Sequence, residues 1–216
     1  MSDRDGRRGA VFGKSRSGKT AYSINLLKDA DRLFVFDPKG TWVKSPGFEI
    51  IKHFAQVKTF LDDIGDRPFR AVYMPEKAAR CVERLSTLSL MLMDHQDKYF
   101  WDKGGKKITL VVDELADAFP LAVPDLYSGF REMCRKGGEY GVNVLGITQR
   151  PATVHTDFRG NLDFITCFQF SLAIDRKAVA LAMEDDAIES ELMGLDKYHF
   201  VEFTDGAWTK RPPLSL

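Results

Sequence analysis

The sequence predicts an α/β protein: a mostly parallel sheet with helices on both faces. Three features predict it. Continuous apolar runs of strand length recur along the chain, segments of helical period lie between them, and a glycine-rich loop joins the first run to the first helix. Strands buried on both faces read as unbroken apolar runs, and parallel strands need crossovers that the helices supply.

Residues 8–12 form a short first strand, followed by the loop and a helix beginning near Lys19 in "TAYSINLLKDA". "RLFVFD" (32–37) is a compact buried strand stopped by Pro38 and Gly40. In 41–68, "FEIIKHF" suits a strand and "QVKTFLDDI" a short helix before a Gly65–Pro68 turn. "FRAVYM" (69–74) is strand-like. From Glu76, Ala78, Cys81, Val82, Leu85, Leu88, Leu92 and Tyr99 recur at helical spacing and predict one helix ending before "DKGGKK". "KITLVVDE" (107–114) is a strand. "PDLYSGFREMCRKGG" (124–138) reads as a helix from Pro124 that buries Leu126, Phe130, Met133 and Cys134 and ends at glycine. "VNVLGITQ" (142–149) and "FITCFQF" (164–170) are strands, with Phe164, Phe168 and Phe170 as core. Helices follow in "DRKAVALAM" and "DAIESELM". Residues 198–210 predict a hairpin turning at Asp205–Gly206. The expected organisation is a single domain over 1–216, with a flexible segment 1–7 and a carboxyl-terminal hairpin and tail over 198–216.

Hydrophobic residues make up 44% of the chain and charged residues 29%, the mix of an ordinary globular protein. Lys and Arg number 31, as do Asp and Glu, so any nucleic acid must be held by a local patch or by several subunits together. Cys81, Cys134 and Cys167 lie far apart, which predicts buried, reduced thiols. The polar start and the lack of a long apolar stretch predict a cytoplasmic protein without a membrane span.

The chemistry concentrates at three strand ends. Gly13-Lys14-Ser15-Arg16-Ser17-Gly18-Lys19-Thr20 is a phosphate-binding loop. Its glycines permit the turn that aims backbone N–H groups at phosphate oxygens, Lys19 neutralises the outer phosphates, and the Thr20 hydroxyl can ligate Mg²⁺. "ITLVVDE" delivers Asp113 to a strand end, where it can hold Mg²⁺, and Glu114 beside it can polarise the attacking water of a hydrolysis. "VLGITQR" ends a further buried strand in Gln149, a partner for the γ-phosphate or the lytic water, followed by Arg150. The histidines show no paired-ligand spacing, so ATP and Mg²⁺ are the expected cofactors.

The ordered set "GKSRSGKT", "VFDPKG", "LVVDE", "CRKGGEYGVNVLGITQRP" and "NLDFITCFQF" resembles the HerA/FtsK-type P-loop ATPases, over most of residues 8–170. Within them it is most similar to the genome-packaging ATPases of tailless, internal-membrane-containing double-stranded DNA viruses. The resemblance implies a RecA-like (ASCE) fold whose sensor strand, ending at Gln149, lies between the strands of the phosphate loop and of the acidic pair. It implies Asp37 and Lys39 near the nucleotide mouth, and an arginine around Arg131–Arg135 projecting toward the next subunit. It further implies a ring, expected to be a hexamer, that moves double-stranded DNA, with a capsid vertex or portal-like protein as partner and the host cytoplasm or the virion vertex as location. The chain carries none of the large membrane, clamp or DNA-orienting domains of chromosome and conjugation pumps, which favours the compact packaging type.

Arg131 and Arg135, four residues apart on one helix, suit a finger reaching a neighbour's site, with Arg135 favoured and Arg150 and Arg159 its rivals. Lys136, His155, Arg159 and Lys177 are weaker candidates for DNA or subunit contacts. Three other functions fit parts of the sequence: a nucleoside or nucleotide kinase, a conjugation or secretion pump, and a structural ring using ATP for assembly alone. Glu114 and Gln149 argue against the kinase.

Overall fold

The computed structural model describes residues 6–76, 78–102 and 104–214. In chain order the elements are β1 (Arg8–Phe12), α1 (Lys19–Leu26), β2 (Arg32–Phe36), β3 (Glu49–Ile51), α2 (Gln56–Ile64), β4 (Phe69–Tyr73), α3 (Cys81–His95), α4 (Asp97–Asp102) and β5 (Ile108–Asp113). They continue as α5 (Leu115–Ala118), α6 (Gly129–Lys136), β6 (Val142–Thr148), α7 (Thr156–Arg159), β7 (Phe164–Phe168), α8 (Ala173–Met183), α9 (Ala187–Met193), β8 (Phe200–Thr204) and β9 (Ala207–Arg211). The strands form one sheet in the order β3-β4-β2-β5-β6-β1-β7-β8-β9. Every pairing from β3 across to β7 is parallel, and β8 and β9 continue the sheet antiparallel. β6, which runs up to Gln149, thus lies between β1 and β5, the position implied by the resemblance.

Alternation along the strands fills two cores. Ala10, Phe12, Phe34, Phe36, Leu110 and Val112 face the layer of α2, α3, α6 and α8, while Val11, Leu33, Val35, Val111, Leu145 and Ile147 face Tyr22 of α1 and Trp42. Every residue of β2 and β5 is buried, as expected for central parallel strands. The three cysteines are free and buried. At the turn from β8 to β9, Asp205 and Gly206 both take positive φ, 54° and 78°, the backbone of a two-residue hairpin. No helix among the described residues is long and apolar enough to cross a membrane.

Buried Arg32 opens β2. Its guanidinium donates to the Gly65 and Lys106 carbonyls and to Gln96 Oε1, and meets His95 Nε2 at 2.7 Å. Both terminal nitrogens are thus matched, while the buried Nε has no partner; a buried charge is tolerated where most of its donors are satisfied.

Two helix expectations are corrected. The run from Glu76 to Tyr99 is not one helix: Ala78–Arg80 form a 3₁₀ turn, and the chain breaks at Gln96 between α3 and α4. Gln96 turns its amide onto Arg32, Lys106 O and Tyr140 O, tying the end of α3 to the amino edge of the sheet. The second helix starts at Gly129 rather than Pro124, after a 3₁₀ turn over Asp125–Tyr127. Phe130, Met133 and Cys134 are buried as expected, but Leu126 is 82% exposed. The cause is tertiary. A Cβ on Gly129 would stand 2.1 Å from the Ser86 carbonyl oxygen, and the Gly129 N–H donates to Ser86 Oγ at 2.9 Å. That close approach to α3 fixes where α6 begins and leaves Leu126 outside the packed face.

Of the amino-terminal segment 1–7, residues 1–5 lie outside the described residues. Gly6 donates to Gly138 O at 3.0 Å and the Arg7 N–H to Asn143 Oδ1 at 2.9 Å. Of the tail, 212–214 has no regular structure, and 215 and 216 lie outside the described residues.

Candidate active site

The parallel register brings the carboxyl ends of β1, β5 and β6 to one edge: Phe12 pairs with Thr148, and Asp113 with Ile147. Crevices at this edge of open α/β sheets are where ligands bind. The glycine-rich loop of residues 13–20 lies there, held by Gly13 N–H to Thr148 O at 3.2 Å and Lys14 N–H to Gln169 O at 2.7 Å. Gly13 has φ 146° and Gly18 φ 108°, and a Cβ on Gly13 would sit 2.7 Å from Phe168 Cβ, so only glycine fits. Arg16 also takes a positive φ, 58°, at the exposed tip beside Ser15. Gly18 leads directly into α1, whose amino end with its free N–H groups follows the loop. Thr20 is half-buried in the first turn of α1.

Lys19 is buried and folds its ammonium back onto the Lys14 carbonyl at 2.8 Å. Burial pushes its pKa down to about 8, although the charges of Glu114 and Asp113 partly restore it. Asp113 is buried with Oδ2 lacking any hydrogen-bond partner. Burial, then the charges of Asp37 and Glu114, push its carboxyl up to about 6, against the pull of Lys39 and Lys19. An orphaned buried carboxylate oxygen beside the glycine-rich loop fits a Mg²⁺ ion, which takes few protein ligands and keeps waters and phosphate oxygens. Ser17 Oγ is a second buried atom without a partner in the loop.

Glu114 follows β5 in the left-handed backbone region (φ 58°, ψ 61°), a conformation that turns its buried side chain toward β6. Its Oε1 accepts from Thr148 Oγ1 at 2.7 Å and from the Gln149 N–H at 3.3 Å. Its Oε2 accepts from Gln149 Nε2 at 3.2 Å and from the Lys39 ammonium. Burial alone would raise its pKa, but hydrogen bonds from Lys39, Thr148 and Gln149 hold it below the usual carboxylate range. The carboxylate is ionised and fixed in place.

Lys39 belongs to a loop set by Asp37, whose buried carboxylate accepts the N–H groups of Thr41, Trp42 and Val43 at 3.1, 2.7 and 3.2 Å. Arg150 lies at the same edge, its Nε donating to buried Asp175 at 3.0 Å. Asp175 also caps the Ala152 N–H at 3.2 Å. Lys14, Ser15, Gln149, Arg150, Ser171 and Asp175 line an open cleft of about 250 Å³ beside the loop.

Arg131 and Arg135 lie elsewhere. The last turn of α6 sits at the amino edge of the sheet, where the Arg8 guanidinium donates to Cys134 O and Gly138 O accepts from Gly6. Asp157 of α7 bridges the two arginines, 3.4 Å from Arg131 Nε and 3.1 Å from an Arg135 terminal nitrogen. Arg131 also meets Asp125 at 3.3 Å, and Arg135 is the more exposed, at 59% of its side chain against 21%. Lys136 pairs with Glu132, Arg159 donates to Val154 O, and His155 Nδ1 caps the Asp157 N–H; Lys177 is exposed.

Sequence reasoning missed Thr148, Asp175 and Tyr198. Thr148 carried a signal, as the polar last residue of an apolar run. Asp175 carried none. Tyr198, at φ 67° and 44% exposed, stands behind the loop, its ring edge 3.6 Å from where a Gly18 Cβ would be.

No family model matches the sequence, and no curated protein matches it. Solved structures do match by fold. The genome-packaging NTPase B204 of Sulfolobus turreted icosahedral virus 2 superposes with a TM-score of 0.73 at 16% identity, covering 98% of this chain and 100% of that one. The fold is RecA-like. VirB4 of Thermoanaerobacter pseudethanolicus matches with a TM-score of 0.67 at 11% identity, over 100% of this chain and 91% of that one. The pCW3 conjugation coupling protein TcpA matches with a TM-score of 0.57 at 17% identity, over 97% of this chain and 60% of that one.

Proposed function

We propose that this chain is a Mg²⁺-dependent ATPase that works as a ring and drives double-stranded DNA through it, packaging a viral genome into a preformed capsid. The observation that carries the reading is the ionised, four-times hydrogen-bonded Glu114 one strand from Lys19, with Gln149 on the same carboxylate. A hydrolase needs such a base, whereas a kinase gains from keeping an activated water out of its site.

In this reading the loop N–H groups and Lys19 bind the phosphates. Thr20 and Asp113 would hold Mg²⁺, which when bound neutralises charge developing on the phosphoryl oxygens. Glu114 takes a proton from water as its oxygen bonds to the γ-phosphorus and the bond from γ-phosphorus to the β,γ-bridging oxygen breaks. ADP leaves with that electron pair, and Gln149 orients the water. Arg135 of a neighbouring subunit completes the site, with Arg131 and Arg150 as rivals.

The packaging reading, as against conjugation, draws on the end-to-end match with B204, a protein described as a genome-packaging NTPase. The partners we assign are double-stranded DNA, further copies of the chain in a hexamer, and a capsid vertex or portal-like protein; the place is the host cytoplasm or the virion vertex. With balanced charge, one subunit should hold DNA weakly and a ring more firmly. The test is displacement of a third strand from duplex DNA, with ATP and with a non-hydrolysable analogue. Displacement with ATP alone supports a motor. ATP turnover that never displaces the strand removes translocation, and phosphoryl transfer to a nucleoside replaces the reading with a kinase.

A further inference from the structure

The carboxylate of Glu114 has about four lone-pair sites, and four donors use them. A base so occupied cannot accept a proton from water until one donor leaves. Two are fixed: Thr148 is fully buried at the end of β6, and the Gln149 N–H is backbone. Of the two remaining donors, the Gln149 amide is on a half-buried side chain, whereas Lys39 is exposed, its side chain 40% accessible, and is the better able to leave. Its backbone cannot follow, because the Asp37 carboxylate binds the N–H groups of Thr41, Trp42 and Val43, and Trp42 is fully buried. The lysine stem is left free to swing, and it lies close enough to Lys19 for their charges to interact.

We propose that Lys39 reads the γ-phosphate, exchanging Glu114 for a γ-phosphate oxygen and so opening Oε2 to the attacking water. This inference rests on the nucleotide-site reading above. Lys39 then distinguishes a nucleoside triphosphate from a diphosphate, which offers it no exchange partner. Glu114 is held shut until a hydrolysable nucleotide arrives, which limits idle reaction with other phosphates. Coupling runs both ways: if Glu114 competes with the γ-phosphate for Lys39, weakening Glu114 must tighten triphosphate binding through Lys39.

The experiment is calorimetric titration with Mg²⁺ and either ADP or a non-hydrolysable ATP analogue, on wild type, K39M, E114Q and the double variant K39M/E114Q. K39M should weaken the triphosphate roughly ten- to a hundredfold, the worth of one charge-assisted hydrogen bond, and leave ADP unchanged. E114Q should tighten the triphosphate about tenfold, an effect absent when K39M is also present. Equal loss for both nucleotides in K39M overturns the inference. So does tightening by E114Q that survives K39M, since relief of negative charge alone would then explain it. Should K39M fail to fold, the double variant leaves no buried carboxylate without its cation, and its triphosphate-to-diphosphate ratio carries the test. A wild type that binds neither nucleotide overturns the nucleotide reading itself, and this inference with it.

Discussion

The Thr148 hydroxyl donates to Glu114 Oε1 at 2.7 Å, joining the carboxyl ends of β6 and β5 inside the protein. It lies where water has no access, with Thr148 and Glu114 both buried. Because it helps keep Glu114 ionised, the isosteric Thr148→Val should raise the acidity limit of the reaction. Losing a hydrogen bond to a buried charge, about 1.5–3 kcal/mol, corresponds to roughly one to two pH units. The acid limb of turnover against pH should move upward by that order, with nucleotide affinity unchanged. An acid limb that stays in place removes Thr148 from the site.

Lys19 gives a pH dependence of the opposite sense. Its pKa, lowered to about 8 by burial, means that above pH 8 the free protein holds it neutral, and phosphate binding must then recharge it. Triphosphate affinity should be level below pH 8 and fall about tenfold per pH unit above it, with net proton uptake on binding. Titration in buffers of different ionisation heat reads that proton directly. Level affinity to pH 9.5 contradicts the assignment, and Lys19→Ala should abolish binding.

Much of this was legible in the chain. Buried parallel strands announce themselves as apolar runs such as "RLFVF" and "ITLVV", and the loop between β1 and α1 needs its glycines in fixed places. Asp113 and Glu114 could be named because a strand that ends in two carboxylates must deliver them to the crevice. What was not legible depends on contacts distant in sequence. Lys39 and Glu114 are 75 residues apart, and nothing in "DPKG" states which acid the lysine meets. Leu126 fits a helical stripe in sequence, yet the Gly129–Ser86 approach starts α6 beyond it. Arg32 reads as a strand boundary until Gly65, Gln96 and Lys106 close around it.

That last cluster makes stability sensitive to acid. Burial, then the charge of Arg32, hold the His95 imidazole below its usual pKa, against Asp66 and Asp62. The unfolded chain therefore takes up a proton near pH 6.5 that the folded protein refuses. Stability should be full above about pH 6.5 and decline as pH falls through that value toward the folded pKa. Thermal unfolding between pH 7.5 and 5.5 measures it. His95→Gln, which keeps an acceptor and cannot be charged, should flatten the decline; an unchanged slope assigns it to other groups.

Arg135 is exposed at the amino edge of the sheet, away from its own phosphate loop, and so suited to reach another subunit. Arg135→Ala should bind ATP normally and lose about 10³–10⁵ in DNA-stimulated turnover, the worth of an arginine supplied in trans. Mixed rings decide it. Subunits carrying Lys19→Ala but an intact Arg135 should restore part of the activity of Arg135→Ala subunits. Full activity in Arg135→Ala alone shifts the role to Arg150 or Arg131.

The most direct measurement of the central claim is phosphate release by wild type and Glu114→Gln, with Mg²⁺-ATP, in the presence and absence of linear duplex DNA. Wild type should release phosphate, faster with DNA. Glu114→Gln should still bind ATP but turn it over about 10²–10⁴-fold more slowly, the usual share of a general base. Near-wild-type turnover in Glu114→Gln, or release indifferent to DNA, would contradict the account of a DNA motor driven by hydrolysis at this strand end.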